Sequence, residues 1–137
     1  MSPEAAPNVT HMRIDDLGPV EGFLAGKGFS FRRAREGLGV SSFGLSIIDM
    51  PPNTTEYPEH DHATEGAGPP PDQLGQEEVY VALRGSGELE VDGRRYPLDE
   101  DHLIRVGPTA RRKPLPGPEG MRLLVIGAIP GQAYDPG

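Results

Sequence analysis

No stretch of this chain longer than ten residues is free of both glycine and proline; the longest runs from Asn8 to Leu17. An average α-helix needs about eleven or twelve residues, and an interior glycine or proline costs it roughly 1 or 3 kcal/mol. With 19 glycines and 16 prolines spread along the chain, a helical bundle, a coiled coil and a doubly wound α/β fold are poor fits. Short strands joined by many turns fit well. The 137 residues are enough for one domain with one core.

The hydrophobic pattern agrees. Residues 1–10 read as a loose tail, 11–130 as one β-barrel domain with a long loop insertion at 63–76, and 131–137 as a C-terminal tail. Strands are expected at His11 to Leu17, at Phe29 and Phe31, and over Val40 to Met50, where Phe43, Leu45 and Ile47 share a face. Glu36 to Gly39 reads as a turn. Glu77 to Leu83 is the best strand, with Glu78, Tyr80 and Ala82 on one face. Gly85-Ser86-Gly87 reads as a turn, and Asp92-Gly93 as a two-residue hairpin turn. His102 to Val106 follows, then a turn-rich loop over Pro114 to Gly120 and a closing apolar strand, Met121 to Ile129. With no clear helix, the pattern means an all-β sandwich or barrel.

Acids number 21 and bases 13, a formal net charge of -8. A basic face able to displace counterions from nucleic acid is not expected, nor attraction to anionic membranes. There is no apolar run of 18 residues, and no charged start followed by an apolar segment, so neither a membrane span nor a secretory signal is expected. Cysteine is absent, which excludes disulfides and thiolate ligands; any metal must be held by nitrogen and oxygen. A cytoplasmic location is the expectation.

Within that frame a few residues can carry chemistry. His60 and His62 sit two apart, so on an extended segment both imidazoles face one way. Glu78 lies on the strongest strand. A carboxylate placed across a barrel from the pair would complete a set of two His and one carboxylate with open coordination positions. Taken alone, the pair reads more readily as polar loop residues beside Pro58 than as ligands, and Glu77-Glu78 more readily as a solvated strand edge.

The combination resembles the cupin family. Pro52-Asn53 stands where that family's Pro-Gly lies, followed by His60-Asp61-His62 and then Gln76-Glu77-Glu78-Val79-Tyr80-Val81-Ala82-Leu83-Arg84-Gly85-Ser86-Gly87, in which six residues separate Glu78 from Gly85 as in the family's first motif. Gly85 to Leu89, then Val91-Asp92-Gly93, is similar to the hairpin that follows it. The resemblance covers roughly Ile47 to Ile129. It implies a single-domain double-stranded β-helix, or jelly-roll barrel, and leaves the activity open because this fold hosts many chemistries.

Two departures from the pattern bear on the site. Fifteen residues, Ala63 to Glu77, separate His62 from Glu78, where the family has three or four. A loop lengthens at only about 0.6 kcal/mol per doubling, so the insertion reads either as a lid or as a surface loop. In the second motif, Pro-x-Gly-x-x-His, this chain has Gly107-Pro108-Thr109-Ala110-Arg111-Arg112. Arg112 falls where the third histidine ligand stands, and a guanidinium cannot ligate a cation. Three outcomes are open. His60, His62 and Glu78 hold the metal while Arg112 directs donors at an anion; or the pocket is metal-free with Arg112 paired to Glu78; or Arg112 faces solvent with Arg111 and Lys113.

The expectation is a small cupin that binds Fe, Mn, Ni or Zn through His60, His62 and Glu78. It acts as an enzyme of oxygenase, isomerase or cyclase type on a small oxygenated or anionic metabolite, with Arg112 and Tyr80 as catalytic candidates. Tyr80 reads otherwise as core. The alternative is a metal-free small-molecule-binding or sensing module. His102 is a weaker substitute ligand, His11 reads as inert, Asp61 as pointing away from the histidines, and Glu56 and Tyr57 as shaping the pocket or its rim. The resemblance also implies a homodimer formed through edge strands, taken as Met121 to Ile129 and His11 to Leu17.

Overall fold

The structure is a computed structural model and describes residues 8–65, 73–133 and 135–137. Among the described residues eight antiparallel strands form: β1 (Ser30–Arg32), β2 (Gly44–Met50), β3 (Thr64–Glu65), β4 (Gln73–Leu74), β5 (Glu77–Val91), β6 (Arg94–Leu98), β7 (Leu103–Val106) and β8 (Arg112–Ala128). The one α-helix among them, α1 (Ala34–Leu38), has five residues and ends at Gly39. The main sheet runs β1-β2-β8-β5-β6, with β7 also paired to β5; β3 and β4 pair with each other. The fold is an all-β jelly roll.

The two longest strands organise it. The first half of β5 pairs with the second half of β8 and with β7; its second half pairs with the first half of β8 and with β6. Register shifts between Ala82 and Arg84 and between Gly85 and Gly87 bend the ladder. The residues expected to turn at Gly85 to Gly87 therefore form a bulge inside one strand. Asp92 and Gly93, with φ of 48° and 83°, make the expected hairpin turn between β5 and β6.

The expected loop at Pro114 to Gly120 is strand as well. The backbone N–H of Arg112 bonds to the carbonyl of His60, 2.8 Å away, so this side of β8 faces away from β5. Residues two and four further on, Pro114 and Pro116, aim their nitrogens the same way. Each missing N–H thus falls on the side without a ladder, where proline is tolerated. The second half of β8, from Met121, lies between β2 and β5. It is no edge, and neither is His11 to Leu17, where a 3₁₀ turn spans Ile14–Asp16 instead of a strand.

The main core contains Ile48, Met50, Tyr80, Ala82, Leu89, Leu98, Val106, Leu123 and Val125. The apolar face of β2 picked out from the sequence lies outside it. Ile47 and Leu45 pack with Leu17, Ala34, Met12 and Ile14 in a second cluster, and Phe43 is exposed. Residues read as a turn at Glu36 to Gly39 are largely α1, whose Ala34 is buried in this second cluster.

A charged network fastens the same N-terminal segment. Arg122 donates to Asp49 Oδ1 at 2.6 Å and to Asp15 at 2.6 Å; Arg32 donates to Asp49 at 3.3 Å and to the Leu17 carbonyl. Burial pushes the Asp49 carboxyl up, but Arg122 and Arg32 outweigh it and hold it below its usual 3.8. A carboxyl lowered in the folded state stabilises above its unfolded value and loses that contribution as pH falls through the lowered one. Asp49→Asn should therefore flatten the acid side of the stability curve between about pH 6 and pH 2, read by thermal melts against the parent protein.

Candidate metal centre

The histidine segment is hooked to the start of β8. His60 and Arg112 exchange backbone hydrogen bonds of 3.0 and 2.8 Å, and the N–H of His62 donates to the Pro108 carbonyl at 2.8 Å. That extended tether puts residues 60 and 62 on one face, with ring centroids 5.0 Å apart. Asp61, between them, caps the N–H of Ala63 and pairs with Arg111 at 3.8 Å.

The long insertion leaves this arrangement intact. The N–H of Gln76 donates to the His62 carbonyl at 3.2 Å, so the chain returns to the point where it left. β3 and β4 pair as the base of the excursion; the middle of the suggested lid, residues 66–72, lies outside the described residues.

Glu78 enters from β5, paired with Val106 on β7 and Gly127 on β8. Ligand atoms of His60, His62 and Glu78 lie within 4.8 Å of one another. One carboxylate oxygen, Oε1, accepts from the Tyr80 hydroxyl at 2.7 Å and faces His62 Nε2 at 3.2 Å. Burial pushes the Glu78 carboxyl up, but the bonds from His62 and Tyr80 and the charge of Arg112 outweigh it and hold it below its usual 4.5. Burial lowers His60 below its usual 6.5, which favours the neutral ring. Its Nδ1 is 3.1 Å from the Pro58 carbonyl. A carbonyl only accepts, so Nδ1 carries the proton and Nε2 keeps the lone pair. An orienting carbonyl of this kind is the usual outer partner of a ligating imidazole.

These residues border a cavity of about 240 Å³, also lined by Phe31, Ser46, Tyr57, Gln76, Tyr80 and Val125. Gly44, Gly127 and Glu78 stand in one row across β2, β8 and β5. A Cβ added at Gly127 would lie 2.8 Å from Gln76 Oε1 and 3.4 Å from Glu78 Cγ, so glycine there leaves the carboxylate open on that side. Tyr57 packs with Phe23 and Phe29 and lies 5.9 Å, ring to ring, from His60. Nothing in the sequence singles out Ser46, Gln76 or the two glycines as cavity residues. Their shared height is a matter of strand register.

Arg112 is fully buried, and the outcome in which it faces solvent is overturned. Its Nη2 donates to the Gly107 carbonyl at 2.6 Å, and its Nη1 is 4.0 Å from Glu78 Oε1. Nε and Nη1 have no hydrogen-bond acceptor among the described residues. The side chain is not among the residues that line the cavity. His102 pairs with Asp99 at 2.7 Å away from the site, and Glu56 pairs with Lys27 at the surface. His11 is exposed.

The donor set fits a divalent transition ion: two imidazoles, one held as the neutral tautomer, and one ionised carboxylate, all nitrogen and oxygen. Among the described residues no helix is long and apolar enough to cross a membrane.

No family model and no curated protein matches the sequence. Solved structures do match. A cupin protein from Bacteroides fragilis is 18% identical, with a TM-score of 0.68 over 94% of this chain and 91% of that one. A predicted oxalate decarboxylase from Thermotoga maritima is 16% identical, with a TM-score of 0.62 over 88% and 99%. A polyketide cyclase from Streptomyces resistomycificus is 20% identical, with a TM-score of 0.61 over 86% and 78%. At these identities the likeness is one of fold.

Proposed function

We propose that this chain, a cupin by fold, is a divalent-metal-dependent enzyme acting on a small oxygenated or anionic metabolite held in the barrel cavity. The observation that carries the reading is the convergence of His60, His62 and Glu78 on one point at the wall of that cavity. The similar folds include proteins described as a predicted decarboxylase and a cyclase, and the proposed chemistry is of oxygenase, isomerase or cyclase type.

His60, His62 and Glu78 would hold Fe, Mn, Ni or Zn, which when bound supplies Lewis acidity. The rest falls to the chain. The Pro58 carbonyl fixes the His60 tautomer. The Tyr80 hydroxyl, kept protonated by burial and by the charge of Glu78, orients the carboxylate. Apolar walls from Phe31, Ile48 and Val125 limit water, and the short side chains at Gly44 and Ser46 leave room for a substrate.

A metal-free binding module is the second reading, favoured by the buried cation of Arg112 4.0 Å from Glu78. Elemental analysis of protein purified without chelator, with melts in added Mn, Fe, Ni or Zn, separates the two. The enzyme reading expects about one metal equivalent and a gain of about 2.7 kcal/mol at a hundred times the dissociation constant. That gain appears as a rise of several degrees, absent in His60→Ala. Less than about a tenth of an equivalent, with no rise, selects the metal-free module.

A further inference from the structure

Arg112 changes the charge account of the site. Among the described residues lining the cavity Glu78 is the only carboxylate. Its charge already faces a guanidinium 4.0 Å away that is completely enclosed. The remaining lining residues besides the two histidines bear no formal charge: two tyrosines, Gln76, Ser46 and apolar side chains. Coordination requires neutral imidazoles at both His60 and His62. A divalent ion held by His60, His62 and Glu78 would therefore bring two positive charges that no other described residue lining the cavity answers. The three ligands are half-buried and Arg112 is fully enclosed, so part of this charge is held away from water, where it is disfavoured without a counter-charge. A histidine in place of Arg112 would have left one positive charge fewer.

From this we infer that the site completes its charge balance with its ligand, and that the ligand is a small organic anion carrying its charge on oxygen. This rests on the metal-binding reading and narrows it to a substrate class. Arg112 is a positioning residue in this scheme. It is not among the residues lining the cavity and acts through the field it adds, with Nε and Nη1 lacking a hydrogen-bond acceptor among the described residues. The cavity, about 240 Å³, sets the size at a few heavy atoms to one small ring.

Coupling between ions is reciprocal: if an anion tightens the metal, the metal tightens the anion by the same factor. Acetate and acetamide have nearly one shape and differ in charge, so they isolate the effect. Mn²⁺ binding is measured by calorimetry on the whole chain, with neither additive, with saturating acetate, and with acetamide. Acetate should tighten Mn²⁺ about tenfold and acetamide should not. Arg112→Met, similar in length and uncharged, should bind Mn²⁺ about tenfold more tightly without additive and show a clearly smaller acetate effect, since one of the two unanswered charges is gone.

The outcomes separate cleanly. No Mn²⁺ binding under any condition removes the enzyme reading and this inference together. Mn²⁺ binding with equal effects of acetate and acetamide overturns the inference alone, and that comparison needs only the parent protein, so it decides even where Arg112→Met does not fold. An acetate effect of full size in Arg112→Met also overturns it, because the charge demand would then have another source.

Discussion

Glu78→Gln should destabilise the metal-free protein by about 3–5 kcal/mol and abolish its response to metal. The substitution keeps the shape of the side chain and removes its charge. It leaves Arg112 fully enclosed, with the Gly107 carbonyl as its one acceptor and no counter-charge. Removing one partner of a buried pair costs far more than the pair contributes, because the survivor stays desolvated. The second substitution tests the cause. Glu78→Gln combined with Arg112→Met should recover most of the lost stability, a strong positive coupling, while metal binding stays lost. Urea titration of the four proteins measures this. A double variant no more stable than Glu78→Gln would show that Arg112 is not the group left stranded.

The second large effect is at Gly85. Its φ is +76°, and a Cβ there would stand 2.2 Å from the Gly120 carbonyl oxygen on β8. The backbone conformation alone costs an alanine about 1–2 kcal/mol. The obstructing atom is backbone, so relief requires moving β8 where it pairs with β5. Gly85→Ala is expected to cost about 3 kcal/mol or more, with Ser86→Ala, an exposed neighbour, near neutral. The bulge sets the bend between the half of β5 that carries Glu78 and the half that carries Leu89. Gly85→Ala should therefore also weaken metal binding without touching a ligand, and paired melts with and without Mn²⁺ read both effects.

Gly85 also shows how far the linear code reaches. Its glycine was legible, and so was its six-residue distance from Glu78. Its role as a bulge rather than a turn was not, because a bulge exists only against a partner strand. The same holds for Pro114 and Pro116. Proline reads as an interruption until it is known which side of β8 carries a ladder. On β2 the alternation was legible but its sense was not. Period two marks two faces and does not say which one meets the core, and here the Leu45 and Ile47 face is covered by the N-terminal segment.

What the sequence by itself determined is what short-range stereochemistry dictates. Glycine and proline density excluded long helices, Asp92-Gly93 set a hairpin, alternation put Glu78 and Tyr80 on one face, and His60 and His62 had to share a side. Only the tertiary structure decided what Arg112 does. Whether a charged side chain is solvated or enclosed depends on the residues packed around it from distant parts of the chain, and the pairing of His60 with Arg112 and of Glu78 with Gly127 brings those parts together. The physical reason is range. Dihedral preference and alternation act over a few residues, whereas desolvation and Coulomb energy act through space, and their sign is set only when the chain has closed.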